Sequence, residues 1–317
     1  EKYFKYLIDT YEKTLAWSKV VEYKKTLEKI SENNFENFNE DTLKNFNDCI
    51  ADIKKYATSN SHLSAYELIS NKLDIVVITK DISTVKLKKG ETVSEKIQEI
   101  KDNIEKMMQI IKFYEEDESK KYIAGKNVIY TIIKNAWNGV SILNPQTKEK
   151  NIYKDYKDYF PEEAKKYVEE DKSKYKYNCF TCNSAIKNFD NELAFLNCSG
   201  FDTTRKPSHV WNFVNDIAIC PICKLIYSCV PAGFSYVYSN GIYINENNSV
   251  EFALNINNKM KYEILKDDHM NQNTTFKAMI VAMQESINSS VSYELSDVQV
   301  VKYENEKYRF NILSKNI

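Results

Sequence analysis

Two short cysteine motifs, Cys179-Phe180-Thr181-Cys182 and Cys220-Pro221-Ile222-Cys223, decide how the centre of this chain folds. In each motif a tight turn can direct both sulfur atoms at one metal ion, while the amides between them donate hydrogen bonds to the thiolates. Two motifs together supply the four ligands of a tetrahedral site. Four thiolates without a carboxylate or an open position favour structural zinc over catalytic zinc. The sequence therefore predicts a zinc site whose ligands are Cys179, Cys182, Cys220 and Cys223.

Other uses of these cysteines match their surroundings less well. A redox-active pair sits where a strand meets a helix in a βαβ unit, and two such pairs in one chain are unusual. An iron–sulfur cluster uses the same ligands and stays an open alternative. The remaining cysteines, Cys49, Cys198 and Cys229, are isolated, and we interpret them as small buried hydrophobic residues.

The residue that follows the second cysteine of each motif is also informative. Metal-binding turns often need a left-handed backbone at this position, and glycine adopts that conformation most easily. Asn183 is suited to it because asparagine tolerates the left-handed region. Lys224, in the second motif, fits such a position less well.

The composition bounds the class of protein. The 44 basic and 45 acidic residues leave a net charge of -1, so any nucleic-acid-binding patch must be local. Glycine is scarce, with 6 residues, and no glycine-rich phosphate loop is present. No stretch approaches the roughly 20 apolar residues that a membrane-spanning helix needs. Because the cysteine pattern also argues against secretion, we expect a soluble, cytoplasmic protein.

Hydrophobic periodicity predicts a mainly helical part over residues 1–160. Apolar side chains recur at helical spacing near the N-terminus and again after Thr92 and Glu95, a capping-box pair that predicts a helix start. Residues 128–137 are expected to form a further helix. The β-branched run at residues 73–79 is short, and we expect it to be a buried strand.

After the cysteine motifs the hydrophobic period changes to two. Residues 234–245 predict a hairpin with a tight turn at Asn240-Gly241. Residues 250–256 are expected to add a third strand, residues 276–287 a helix, and residues 298–313 a closing hairpin.

These patterns together predict an α+β fold with three parts. A largely helical part spans residues 1–160 and contains one buried strand. A zinc-binding four-cysteine module spans residues 161–230. An α+β part with short antiparallel strands and a helix spans residues 231–317.

No catalytic constellation stands out in the sequence, so we expect a protein that is not an enzyme. The nearest enzyme pattern is that of zinc deaminases, which pairs H-x-E with P-C-x-x-C. Here His209-Val210-Trp211 has no glutamate, and Pro221 follows Cys220 instead of preceding it. We interpret His209 as a loop or core histidine, and neither His62 nor His269 belongs to a recognisable pattern.

The second motif and its surroundings carry a family resemblance. Cys220-Pro221-Ile222-Cys223-Lys224 is followed by Leu225-Ile226-Tyr227 and Pro231-Ala232-Gly233-Phe234, and Trp137-Asn138-Gly139 precedes the first motif. With these features, residues 128–252 resemble the CXXC-CXXC family of CRISPR-associated proteins, which are large subunits of type I-B CRISPR effector (Cascade-type) complexes.

The resemblance implies a subunit of an RNA-guided surveillance complex. Its partners would be the other effector subunits with their guide RNA, target double-stranded DNA and a helicase-nuclease that performs cleavage. Such a subunit recognises the short motif that flanks the target and supports duplex opening. A scaffold or adaptor that is stabilised by zinc and contacts only protein is the alternative.

DNA contacts are expected in two polar segments. Thr204, Arg205 and Lys206 lie between the cysteine motifs, and Arg205 is one of few arginines in a lysine-rich chain. An arginine can pair bidentately with guanine or phosphate, whereas a lysine pairs with phosphate. Lys88 and Lys89 form a second basic candidate. An ordinary solvated loop remains an alternative interpretation of residues 202–209.

Overall fold

The structure of the chain, a computed structural model, describes residues 1–33, 35, 38–197, 218–245, 249–266, 277–278 and 298–312. The chain divides into two compact units, Lys2–Val128 and Ile129–Ile317. The described part of the first unit is helical, and the second combines helices with two small antiparallel sheets. The predicted α+β class is therefore confirmed. None of the described helices is long and apolar enough to cross a membrane.

The first unit is built from helices that bury their apolar faces. They are α1 (Lys2–Tyr11), α2 (Ala16–Glu32), α3 (Glu40–Ala57), α4 (Asn60–Tyr66), α5 (Ile75–Asp81), α6 (Ile97–Glu115), α7 (Asp117–Ser119) and α8 (Gly125–Val128), with 3₁₀ turns at Glu12–Thr14 and Val93–Lys96 and a π-helical turn at Lys120–Ala124. Leu7 and Tyr11 of α1 and Ile104 of α6 are buried at the predicted helical spacing. The turn that precedes α6 begins after Thr92 as predicted, but the Thr92 side chain makes no capping hydrogen bond.

Residues 73–79 do not form the predicted strand, because most of them belong to α5. The Asp74 carboxylate caps this helix by accepting a hydrogen bond of 3.0 Å from the Val77 amide. Ile75 and Thr79 are buried, whereas Val77 is 50% exposed. In a strand these three side chains would share one face. The burial of every fourth residue, which results from packing of α5 against α3 and α6, selects the helix.

A buried histidine, His62, belongs to a hydrogen-bonded network inside the first unit. The Asn127 side-chain oxygen accepts from the Trp17 amide at 2.8 Å, and its nitrogen donates to His62 Nε2 at 2.9 Å. His62 Nδ1 therefore carries the proton and donates to the Tyr114 hydroxyl at 2.9 Å, which lies 2.7 Å from the Tyr66 hydroxyl. Burial lowers the pKa of His62 to about 4.

The second unit begins with a π-helical turn at Ile129–Ile133. Its helices are α9 (Lys134–Ala136), α10 (Ile152–Tyr159), α11 (Pro161–Glu169), α12 (Pro221–Ser228), α13 (Val230–Gly233) and α14 (Val250–Lys266), with 3₁₀ turns at Ser141–Leu143 and Leu193–Phe195. Its strands are β1 (Tyr177–Asn178), β2 (Ala185–Ile186), β3 (Ser235–Val237), β4 (Asn240–Asn245), β5 (Gln299–Glu304) and β6 (Lys307–Ile312). The helix predicted over residues 128–137 is present in part, as the π-helical turn and α9.

The four-stranded sheet has the order β3-β4-β5-β6 with antiparallel neighbours throughout, which confirms both predicted hairpins. The turn of the first hairpin is formed by Tyr238 and Ser239, so its prediction at Asn240-Gly241 is wrong. Gly241 lies instead in β4, opposite Tyr236. A Cβ atom at this position would stand 2.8 Å from the Tyr236 ring, so glycine makes room for the aromatic side chain.

Residues 250–256 do not form the predicted third strand, because α14 begins at Val250. Ile256, Met260 and Ile264 are buried at a spacing of four against the sheet. Asn257 strengthens this packing: its amide accepts from the Ile244 backbone nitrogen at 2.9 Å and donates to the Ile244 oxygen at 2.8 Å. The helix predicted over residues 276–287 lies outside the described residues, apart from 277 and 278.

Lowering the pH should destabilise the first unit through His62. The pKa of about 4 in the folded protein is below the ordinary value of 6.5, so the unfolded chain takes up a proton first as the pH falls. The destabilisation that results from His62 is negligible well above pH 6.5 and grows as the pH falls towards 4. At pH 5 it should lower the free energy of unfolding by about 2 kcal/mol. Urea unfolding at pH 7 and pH 5 measures the difference.

The control is His62→Gln, which removes the titrating ring and retains an amide donor and acceptor. This variant should be less stable than the wild type at pH 7, because the fit to Tyr114 and Asn127 is lost. Its further loss of stability between pH 7 and pH 5 should be smaller than that of the wild type by about 2 kcal/mol. Equal losses in the two proteins would contradict the assignment.

Candidate metal centre

The first cysteine motif lies in the loop between the paired strands β1 and β2. The Cys179 amide donates to the Ser184 carbonyl at 2.8 Å, and the Asn183 amide donates to the Cys179 carbonyl at 2.9 Å. Asn183 has a φ of 60°, the left-handed conformation for which the sequence suited it. These bonds form a compact turn that presents Cys179 and Cys182 on one side.

The second cysteine motif forms the N-terminus of α12. Cys220 is the N-cap residue, Pro221 occupies the first turn, and the Cys223 amide donates to the Cys220 sulfur at 3.4 Å. The sulfur therefore replaces the usual capping oxygen, and the helix dipole favours negative charge at this end. The Lys224 amide donates to the Cys220 carbonyl at 3.0 Å within the helix. Position 224 thus needs no left-handed backbone, which explains why lysine is accommodated there.

The two motifs converge on a four-cysteine cluster: Cys179, Cys182, Cys220 and Cys223, whose sulfur atoms all lie within 4.8 Å of one another. The Cys182 and Cys220 sulfur atoms are 3.6 Å apart. Metal–sulfur bonds of about 2.3 Å in a tetrahedron place sulfur atoms roughly 3.8 Å apart, whereas a disulfide joins them at about 2.05 Å. All four residues are free cysteines. The donor set therefore fits one tetrahedral metal ion.

The electrostatics of the four-cysteine cluster call for a cation. Cys179, Cys220 and Cys223 are buried and Cys182 is exposed. Burial raises the pKa of the Cys220 and Cys223 thiols. At Cys182 the nearby Ser184 hydroxyl, 3.2 Å from the sulfur, lowers the pKa to about 6. Buried thiolates need a compensating positive charge, and a bound metal ion would supply it to all four sulfur atoms.

Contacts between protein groups also join the two motifs. The Phe180 amide, between the first two cysteines, donates to the Ala218 carbonyl at 2.9 Å, just before the second motif. The Thr181 hydroxyl lies 3.1 Å from the Tyr227 hydroxyl of α12. The chain therefore positions the sulfur atoms partly through its own hydrogen bonds.

An aromatic cluster supports the far end of α12. The buried Trp137 indole donates to the Ser228 carbonyl at 3.0 Å, and the Tyr156 hydroxyl lies 2.8 Å from the Ser228 hydroxyl. The Trp137 ring packs against Phe160 and Phe195, with centroid distances of 5.4 Å and 6.5 Å. The helix that carries Cys220 and Cys223 is thus anchored at both ends.

The sequence of this region matches a known protein family. Residues 172–235 match a family described as CRISPR-associated protein (Cas_CXXC_CXXC). The matched CXXC-CXXC segment contains β1, β2, α12 and the whole four-cysteine cluster. This finding supports the CRISPR-associated CXXC-CXXC family to which the sequence motifs pointed. No curated protein matches the chain, and no solved structure matches it.

The CXXC-CXXC segment also contains a buried lysine whose role the sequence did not reveal. Lys224 Nζ donates to the Asn191 side-chain oxygen at 2.8 Å and stands 4.0 Å from the centre of the Tyr159 ring. Burial lowers the pKa of Lys224 to about 8. Its position directly after Cys223 is the only sequence signal, and nothing in the local pattern indicates that its partners come from residues 159 and 191.

The residues predicted to contact DNA fall in two places. Thr204, Arg205 and Lys206 lie outside the described residues. The same is true of Cys198, His209 and His269, which were not predicted to contact DNA. Lys88 and Lys89 are exposed in a turn of the first unit. The Lys88 amide donates to the Glu91 carboxylate at 2.8 Å, and Gly90 adopts a φ of 90°. This turn displays two lysines close together in sequence.

Of the isolated cysteines, Cys49 is buried as predicted, whereas Cys229 is exposed. The interpretation of Cys229 as a buried residue is therefore wrong. It lies at the C-cap of α12, where its sulfur donates to the Leu225 carbonyl at 3.6 Å. A residue just past the last turn of a helix no longer lies on the face that packs against the protein, and this accounts for the exposure of Cys229.

Replacing any one cysteine of the cluster by serine should release a bound metal ion and destabilise the CXXC-CXXC segment. Much of the free energy with which a structural metal ion binds contributes to folding. Loss of one ligand should therefore lower the free energy of unfolding far more than an ordinary surface substitution does. Elemental analysis of gel-filtered protein should give one metal ion per cluster in the wild type and a value near zero for Cys220→Ser.

The matched control is Cys229→Ser, because Cys229 terminates the same helix and lies outside the cluster. This variant should retain the metal ion and the thermal stability of the wild type. A wild-type protein that is free of metal when purified under reducing conditions, or a Cys220→Ser variant that keeps full occupancy, would contradict the assignment.

Proposed function

We propose that this chain is the large subunit of an RNA-guided CRISPR surveillance complex of type I-B. The observation that carries the proposal is the match of residues 172–235 to the CRISPR-associated CXXC-CXXC family, coincident with the four-cysteine cluster. In this role the chain assembles with the other effector subunits and the guide RNA. It recognises the sequence that flanks a double-stranded DNA target, supports duplex opening and recruits the helicase-nuclease.

The metal in this proposal is zinc with a structural role. Four thiolates saturate a tetrahedral ion and leave no position for water or substrate. The ion would hold the loop between β1 and β2 against the N-terminus of α12. Elemental analysis distinguishes zinc from iron directly, and an iron–sulfur cluster would in addition colour the protein.

In the proposed complex this subunit performs no catalysis. Base pairing between guide and target reads most of the sequence, so the protein needs only a few contacts to bases and phosphates in the flanking duplex. A net charge of -1 is compatible with that task if basic residues are concentrated locally. The candidates are the exposed turn with Lys88 and Lys89 and the segment with Thr204, Arg205 and Lys206.

Reconstitution tests the proposal. The chain is co-expressed with the remaining effector subunits and a guide RNA, and the purified complex is titrated with duplexes that share the guide match and differ in the flanking bases. Affinity that depends on the flank and is lost when this chain is omitted supports the proposed role. A complex that binds all duplexes equally well with or without the chain would instead favour the protein-only scaffold.

Within the assembled complex, Lys88→Ala combined with Lys89→Ala should weaken target binding uniformly across flanking sequences. Lysines that contact phosphates add affinity without sequence preference, so the slope of log affinity against log salt should fall by about two charges.

Arg205→Ala combined with Lys206→Ala should weaken binding by roughly 1–3 kcal/mol and relax flank discrimination. A salt series of binding titrations measures both effects.

The control is Lys25→Ala combined with Lys29→Ala, which removes the same charge from exposed positions on α2 of the first unit. This double variant should bind target as the wild type does. If it lowers affinity and salt dependence as much as the Lys88 and Lys89 pair, the effect reflects total charge and the turn has no special role.

A further inference from the structure

A polar cleft of about 480 Å³ opens in the second unit, and none of the four clustered cysteines lines it. Its walls come from the π-helical turn at Ile129–Ile133 with α9, from the segment around Asn138 and Asn197, and from the tips of both hairpins. The volume falls within the range of about 300–1,000 Å³ that is typical of small-molecule sites. It can accept a ligand of nucleotide size.

An exposed aromatic ring and a cation lie on one wall of the cleft. Tyr130 belongs to the π-helical turn and is 51% exposed although its neighbours Ile129 and Ile132 are buried. Lys134 follows in α9 and is also exposed. Turns of this kind cost helix stability and occur frequently at functional sites. The wall therefore offers a flat apolar face beside a positive charge.

Asparagine side chains dominate the rest of the lining, which also includes Ser239, Tyr303 and the carboxylate of Glu306. The Asn135 amide nitrogen donates to the Thr131 carbonyl at 2.8 Å, and that of Asn197 donates to the Lys134 carbonyl at 2.5 Å. Both amides are thereby held in one orientation, with the side-chain oxygen left as an acceptor. Asn138 and Asn305 add two more amides, each with donor and acceptor capacity. The cleft thus presents four asparagine amides, and those of Asn135 and Asn197 are oriented by hydrogen bonds within the protein.

We propose that this cleft binds one nucleotide of a single-stranded nucleic acid. The base would stack on Tyr130, the phosphate would contact Lys134, and the asparagine amides would bond the edge of the base. Aromatic rings accept any base by stacking, lysine binds phosphate as a point charge, and asparagine is suited to the donor and acceptor pairs of base edges. A neutral saccharide would use the aromatic ring and the amides but would gain nothing from Lys134.

The test uses the full chain, a fluorescein-labelled single-stranded DNA hexanucleotide and anisotropy titrations over a salt series. Tyr130→Ala should lower the affinity by roughly 5- to 150-fold, the effect of losing one base–aromatic stack, whereas Tyr130→Trp should retain it. Lys134→Ala should reduce the salt dependence by about one charge. Unlabelled 5′-AMP should compete with the probe for the wild type.

The controls are Tyr262→Ala, an aromatic residue of α14 that is 66% exposed and does not line the cleft, and Lys165→Ala, an exposed lysine of α11. Both should bind as the wild type does. The proposal is overturned if Tyr130→Ala and Lys134→Ala bind normally, if the controls lose as much affinity as the cleft variants, or if maltose displaces the probe and 5′-AMP does not.

This test is independent of the proposed role in a CRISPR complex, since it needs neither partner subunits nor a guide RNA. If the isolated chain binds the hexanucleotide through Tyr130 while reconstitution fails, the complex role is wrong and the cleft assignment stands. If reconstitution succeeds while the Tyr130→Ala chain binds the hexanucleotide normally, the cleft assignment is wrong and the complex role stands.

Discussion

The centre of the second unit depends on one constraint, which is that four cysteine sulfur atoms lie within 4.8 Å of one another. The two ligands Cys182 and Cys220 are 38 residues apart in sequence and 3.6 Å apart in space. Closing a loop of that length costs conformational entropy, and a metal ion bound by the four thiolates would offset the cost with a large binding free energy. The short strands β1 and β2 pair over only two residues each, so their own hydrogen bonds would not hold this segment in place.

The position of α12 follows from this constraint and sets the surroundings in turn. The Cys220 sulfur caps its first turn, and the Ser228 carbonyl in its last turn accepts a hydrogen bond from the Trp137 indole. From Trp137 the chain forms a bridge to Leu196, and Asn138 and Asn197 flank that bridge. These two asparagines line the polar cleft. The four-cysteine cluster and the cleft are therefore connected through α12 and Trp137.

Local spacing was sufficient to predict several features from the sequence. A doubled C-x-x-C pattern limits which sulfur atoms can share an ion, and it therefore predicts the four-cysteine cluster. Asn183 was expected in a left-handed turn because few residues tolerate it, and the turn has that form. The closing hairpin also followed from period-two alternation around a polar turn, where Asn305 and Glu306 both have positive φ values.

The features that sequence reasoning missed are those that depend on distant partners. Residues 73–79 and 250–256 are short apolar runs that suit a strand or a helix, and packing of α5 on α3 and α6 and of α14 on the sheet decided between them. His62 had no recognisable pattern because its partners Tyr114 and Asn127 are 52 and 65 residues away. The sequence by itself determined which four cysteines form the cluster and the mixed fold class, since both depend on local spacing. Only the tertiary structure decided the polar cleft, the burial and partners of Lys224, and the choice of helix over strand at α5 (Ile75–Asp81). These features depend on burial and long-range hydrogen bonds, which arise when distant segments meet.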